Sequence, residues 1–380
     1  MPPASPPPPS PHPPAAKPRP GDPPGPSPEQ PIPTGPDPAP PRLPLRERLP
    51  DWLGPMLGLM AIWALFAAID PAGFLSVPTA AQILKQTVVL SIVAIAAALV
   101  LMGGGLDLSV GSTVALSSMV IAWMLAFGGC GPWAAAGAGL AAGLLCGLLN
   151  GLLVVSLRIT PFVVTLGTMG VYRGLTKGIG NSQNIYPPEN QLPHLMSGLP
   201  GEAMLSLRLF GQSAAIPWGV LIALVVGLCV LAFLRCTVPG RRILATGSNP
   251  AAAALCGVRV GRIRVLTYAL CGLLCGIAGI LEFATLTVGD VGTQAGLELN
   301  AIAAAVVGGA ALSGGRGSII GAVCGALLLT VIGAGLNTLQ LSPHAPGWLR
   351  GQWLKEIVTG LIIILAVALD RLRRARDSSA

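Results

Sequence analysis

Residues Trp133 to Val155 read WAAAGAGLAAGLLCGLLNGLLVV, 23 positions without a charge and with Asn150 as the one strongly polar side chain. A helix needs about 20 apolar residues to cross the roughly 30 Å hydrocarbon core of a bilayer. This run is long enough to span. Gly139, Gly143, Gly147 and Gly151 recur every four residues and share one stripe of that helix. A stripe of small residues lets helix backbones approach closely in lipid. The same stripe would also suit the wall of a translocation path.

The rest of the chain repeats the pattern. Hydrophobic residues make up 52% and charged residues 10%, against about 25% charged in a typical soluble domain. Gly accounts for 50 of the 380 residues, which suits close helix packing in lipid. Apolar segments recur near 53–69, 83–102, 110–127, 133–155, 160–178, 216–234, 263–285, 299–312, 317–339 and 353–369. The expected fold is therefore all-α, a polytopic membrane helix bundle of about ten spans occupying 51–372. Its Gly-rich interruptions read as broken helices. Gly317, Gly321 and Gly325 repeat the four-residue stripe in the ninth segment.

The ends differ from the middle. Residues 1–50 hold 23 of the 37 prolines, lack apolar mass and are expected to form a disordered cytoplasmic tail. Residues 373–380 form a short basic tail. The net charge of +8 implies orientation rather than nucleic-acid affinity, because cytoplasmic loops collect Lys and Arg. The loop 235–264 carries Arg235, Arg241, Arg242, Arg259, Arg262 and Arg264 and no acid, whereas 286–298 has Asp290 and Glu298 and no base. With ten spans, both termini and the arginine loop fall on the cytoplasmic side. The cysteines lie mostly in apolar runs with no His beside them and read as small buried side chains, not metal ligands.

No phosphate loop, H-E-x-x-H, G-x-S-x-G or acidic pair on one helix face occurs. The expectation is a transport component and not an enzyme, with no catalytic residues, cofactor or metal. Energy for uphill transport must then come from another chain. GGGLDLSVGS (Gly103 to Ser112) and GGAALSGGRGS (Gly308 to Ser318) echo each other. Gly-rich interruptions at corresponding places in two halves mark broken helices near transport sites. Asp107 lies in the first echo. It either faces the N-terminus of the following span or contacts a solute on its path. Asn150, Thr160, Thr165, Thr168, Tyr172 and Arg173 gather around the fourth and fifth spans. Neutral hydroxyls and amides suit a neutral polyhydroxylated solute, and equally suit interhelical hydrogen bonds.

ATGSNPAAAALCGVRVGRIR, from Ala245 to Arg264, places alanines between arginines. Asn249 is a favoured N-cap, Pro250 a favoured first helical residue and Gly257 a natural stop. A rod of about seven residues and ~10 Å results, bare enough for another protein to approach closely. An interfacial helix on lipid headgroups is the alternative, but it would need a stronger apolar face than alanine supplies.

Four stretches now carry a resemblance: GGGLDLSVGSTVAL (Gly103 to Leu116), NGLLVVSLRITPFVVTLGTMGVYRGLT (Asn150 to Thr176), ATGSNPAAAALCGV (Ala245 to Val258) and LELNAIAAAVVGGAALSGGRGSIIGAV (Leu297 to Val323). The chain resembles the permease subunits of bacterial ABC importers for monosaccharides, the ribose and xylose type, over most of 55–370. The resemblance implies an inner-membrane dimer of permease copies in lipid, an ATP-binding-cassette ATPase docked on each, and an extracytoplasmic sugar-binding protein. It implies that Asn249, Pro250, Ala252, Ala253, Ala254 and Gly257 form a coupling helix seated in the ATPase. Asp107 and Ser109 match the family's Gly-Leu-Asp-Leu-Ser stretch and become path-adjacent, beside Asn150, Thr165 and Thr168 as candidates. Permeases for branched-chain amino acids or nucleosides share this architecture. A secondary carrier would instead need coupling-ion ligands such as Asp107 or Glu282. The Pro-rich tail has no expected counterpart in the family, and the segment 180–215, with Trp218 close by, is a candidate surface for the binding protein.

Overall fold

The computed structural model describes residues 53–187, 205–209, 212–292 and 296–341, with helical residues at 357, 358, 360, 361 and 364 beyond them. The expected tails, 1–50 and 373–380, and most of the expected tenth segment lie outside the described residues. The chain runs α1 (Leu53–Ile69), α2 (Pro71–Phe74), α3 (Val77–Met102), α4 (Val110–Ala126), α5 (Pro132–Ser156) and α6 (Pro161–Ile179). A hairpin of β1 (Leu205–Leu209) and β2 (Gln212–Ile216) follows. Then come α7 (Trp218–Cys236), α8 (Val238–Ser248), α9 (Pro250–Leu255), α10 (Val260–Leu286), α11 (Leu297–Val307) and α12 (Ile319–Leu341).

The body is a helix bundle, as the apolar runs require. The hairpin is an addition to the all-α expectation, and it falls in the polar segment between α6 and α7. Among the described residues, five helices are long and apolar enough to cross a membrane: α3, α5, α7, α10 and α12. The apolar helices α1 and α4, with 17 residues each, and α11, with 11, are shorter. At 1.5 Å per residue α11 covers about 17 Å, half a bilayer core. The expected eighth span, 299–312, is therefore a half-length helix ending at Gly308, as the reading of broken helices anticipates. α3 begins at Val77, six residues before the expected 83. Ser76 caps it, accepting from the Thr79 N–H at 3.3 Å, and Pro78 opens its first turn.

α3 is the axis of the bundle, with every residue from Val88 to Met102 buried except Leu90. Around it stand α7, α10, α11 and α12. α5 and α10 form the closest pair. A Cβ on Gly143 would lie 2.6 Å from the Gly272 carbonyl oxygen and the Gly276 Cα. One on Gly147 would collide with the Tyr268 carbonyl oxygen, and one on Gly151 would lie 2.8 Å from the Val265 Cα. Gly139 fits under Ile121 of α4 in the same way. The stripe on α5 is thus a packing seam. Gly321 and Gly325 meet the backbones of Gly308 and Ala304, so α12 packs on α11 by the same device. Leu145, Leu149 and Leu152 of α5 and Leu224, Val225 and Leu228 of α7 face outward, the surface lipid would cover.

Candidate functional site: the projecting helix and the buried polar cluster

At one end of the bundle, which the arginines mark, α8 and α9 meet at a bend on Asn249. Thr237 caps α8, accepting from the Gly240 N–H at 3.1 Å. Gly240, Ile243, Thr246 and Gly247 turn inward while Arg241, Arg242 and Ala245 face out. Asn249 caps α9, its Oδ1 accepting from the Ala252 N–H at 3.0 Å. The helix stops in a double hydrogen bond: the Gly257 N–H donates to Ala254 O and the Val258 N–H to Ala253 O, both at 3.0 Å. That closure needs a left-handed residue, and Gly257 supplies it with φ 79°. Ala253 is buried, whereas Ala251, Ala252, Ala254 and Leu255 are exposed. Leu255 stands 90% exposed at the tip.

Beneath α9 the two echoing Gly-rich segments touch each other across the α8 backbone. Gly247 lies so close to Met102 that a Cβ would collide with the Met102 carbonyl oxygen. That carbonyl accepts from the Gly315 N–H at 2.9 Å. A Cβ on Gly314 would fall 2.8 Å from the Gly104 Cα. Gly104, Gly314 and Gly315 adopt φ of 76°, 86° and 77°, so these positions combine left-handed backbone with contact too close for a side chain.

The first broken segment continues into a buried polar cluster between α4, α5, α6 and α10. Asp107 Oδ1 accepts from the Ser109 N–H at 2.8 Å and the Ser109 hydroxyl at 2.7 Å. Asn150 Nδ2 donates to Ser109 Oγ at 2.7 Å and lies 3.5 Å from Asp107 Oδ2. The Tyr172 hydroxyl is 3.0 Å from Asn150 Oδ1 and 2.9 Å from Cys146 O. The Cys271 thiol lies 3.7 Å from Asp107 Oδ2. Tyr268 donates to Leu106 O at 3.0 Å, and Thr165 Oγ1 is 3.3 Å from the same oxygen. Thr168 donates to Thr165 O. Asp107, Ser109, Asn150, Thr165 and Thr168 are all buried. Chemically the cluster satisfies a buried carboxylate with hydroxyl, amide and backbone donors, which pins the broken segment to three helices.

These elements match a known pattern over most of the chain. The family model for the branched-chain amino acid transport system permease component matches residues 79–367. The chain belongs to the ABC-importer permease family. It is 34% identical over 325 residues to the ribose import permease protein of Bacillus subtilis (strain 168), covering 85% of this chain and 94% of that one. It is 36% identical over 326 residues to a probable ABC transporter permease protein of Escherichia coli (strain K12), covering 86% and 91%. With the fructose import permease protein of Rhizobium meliloti it shares 34% over 325 residues, 83% and 84% of the two chains. No solved structure matches.

In this permease the five polar residues singled out from the sequence come together, although Asp107 and Asn150 lie 43 positions apart. Thr160 stays outside the cluster, exposed at the start of α6. Arg173 also leaves it, pairing at 2.7 Å with Glu298 of α11. The sequence reading missed that pair, along with Tyr268, the whole of α8 and the exposed Leu255. Thr237 and Pro239 signalled α8 as cap and first-turn proline, but the arginines around them drew the reading toward loop.

Proposed function

We propose that this permease forms the membrane pathway for a monosaccharide, a pentose or hexose, in an ATP-driven importer. The observation that carries the reading is α9, a capped helix of six residues whose exposed face is alanine and one leucine, set between arginines. Such a surface admits close docking by another protein, and membership of the importer family implies an ATPase for that role. The expected coupling set keeps Asn249, Pro250 and Gly257 as the frame, Ala252 and Ala254 as contact surface, and Ala253 as the inward anchor. Movement of α9 passes through α8 to Gly247, and from there to Gly104 and Gly314 in both broken segments. The Asp107 cluster holds the first of those segments beside the path.

The wider assignment is ten spans with both termini and the arginine loop inside, two permease copies per complex in lipid, and delivery by an extracytoplasmic sugar-binding protein. Relatives named for ribose and fructose import support the sugar. The family model's own description favours one second reading, a branched-chain amino acid as cargo. Uptake by the native host separates them, using radiolabelled D-ribose, D-xylose, D-fructose and L-leucine. Sugar uptake should survive an uncoupler that collapses the proton gradient and stop when ATP is depleted. Loss of uptake with the uncoupler at normal ATP would instead make the chain a secondary carrier, and accumulation of leucine alone would replace the sugar.

A further inference from the structure

Away from the Asp107 cluster, α3, α11 and α12 border an open-sided cavity of about 210 Å³. Gln86, Asn300, Thr330 and Asn337 line it, with Leu90 and Leu329 as apolar walls. Gln86 and Asn337 are exposed and Asn300 and Thr330 half-buried. None of the three amide side chains makes a hydrogen bond among the described residues. The Thr330 hydroxyl donates to Ala326 O at 3.0 Å and keeps its acceptor capacity.

Each amide offers two donors and an acceptor, which hydrocarbon cannot satisfy. Polar side chains at membrane depth therefore face a protein interior or a water-filled space. Four such groups converging from three helices contrast with the leucines and valines that α5 and α7 turn outward. Among the described residues no charged side chain lines the cavity, so they offer no counter-charge to a coupling ion or an amino acid zwitterion. Amides and a hydroxyl match the mixed donors and acceptors of a polyol, and the leucines suit the apolar face of a sugar ring. The volume lies below the roughly 300–1,000 Å³ of drug-sized sites, in keeping with a single small ring.

Gln86 precedes Met102 by 16 residues, about 24 Å along α3. Asn300 opens α11 and Asn337 lies in the last turns of α12. The cavity thus sits toward the end of the bundle opposite α9, where a delivered solute would enter if α9 faces the ATPase.

We infer that this cavity is a hydrated binding subsite for a neutral polyhydroxylated solute, with Gln86, Asn300, Thr330 and Asn337 as its polar contacts. The inference rests on the sugar-importer reading and names the residues that would hold the solute in transit.

The test uses the full complex in intact host cells. Asn300→Cys and Asn337→Cys are treated with a membrane-impermeant thiol reagent from outside, beside Leu224→Cys on the outward face of α7. Mass spectrometry reads the labelled site, which separates the new cysteines from natural ones. Labelling at 300 and 337 at least about ten times faster than at 224 shows a hydrated cleft. Equal, slow labelling at all three means that lipid or a second copy covers a dry face, and overturns the inference. Asn300→Leu and Asn337→Leu should each lower uptake of whichever of D-ribose, D-xylose or D-fructose the wild type carries. The expected loss is about ten-fold, equivalent to about 1.4 kcal/mol, with the ATPase still co-purifying and Asn300→Gln retaining part of the activity. Unchanged uptake in both leucine variants would also overturn it. A wild type that carries none of the sugars contradicts the importer reading itself, and labelling alone then decides whether the cleft is wet.

Discussion

Asn150 holds most of the buried polar cluster together. Its amide nitrogen reaches Ser109 and Asp107 while its oxygen meets Tyr172. Asn150→Leu keeps the side-chain size but strands partners that lie in a low-dielectric interior. The cost of a buried polar group left unsatisfied is about 1–3 kcal/mol. Thermal unfolding of the detergent-purified chain should therefore show a lower midpoint, with Asn150→Gln less affected. An unchanged midpoint in Asn150→Leu would mean that the hydrogen bonds contribute nothing net. The sequence offered Asp107, Asn150, Thr165 and Thr168 as candidates because polar residues stand out against an apolar chain, and Ser109 through the resemblance carried by GGGLDLSVGS. It did not disclose the Arg173–Glu298 pair, 125 positions apart, because no local pattern links two charges on separate helices. Cys271 was legible as a small buried side chain, but not as a neighbour of Asp107.

The glycine stripes of α5 and α12 show what four-residue spacing can settle. It located the faces of Gly139 to Gly151 and of Gly321 and Gly325 in advance, whereas Gly317 precedes α12 and meets Met102 of α3. The partners came only with the fold: α10, with α4 at Gly139, for the first and α11 for the second. The distinction is measurable on α5 alone. Gly147 abuts the Tyr268 carbonyl, whereas a Cβ on Gly137 meets nothing within 4 Å. Gly147→Val should cost about 3 kcal/mol, at the upper end of overpacking, and reduce the amount of folded protein recovered from membranes. Gly137→Ala should be neutral or gain about 0.5–1 kcal/mol from helix propensity. Similar behaviour of the two would remove the packing seam from the account. Half of α11 was legible: the Gly308–Gly309 pair marks where it stops, at Val307, but the expected segment 299–312 ran past that pair and began two residues after the helix does at Leu297. Among the capped helices, α9 was legible to within a residue because cap, proline and glycine all lie within nine positions.

Taken as one molecule, the permease joins a projecting helix at its arginine end to a polar cavity toward the other, with glycine contacts and a pinned broken segment between them. Composition alone placed it in the membrane, because 10% charged residues cannot cover a soluble surface of this size. The cavity escaped the sequence reading because its four polar residues come from three helices with no shared period. In the proposed function, α9 is the point where an ATPase drives the bundle. A tagged wild-type chain and Ala254→Asp should be purified from the native host in gentle detergent, with partners identified by mass spectrometry. The expected result is an ATP-binding-cassette protein retained by the wild type and lost by the variant, while both chains reach the membrane in equal amounts. Equal retention of the ATPase by the two, or its absence from the wild type under conditions that preserve other such complexes, would contradict it.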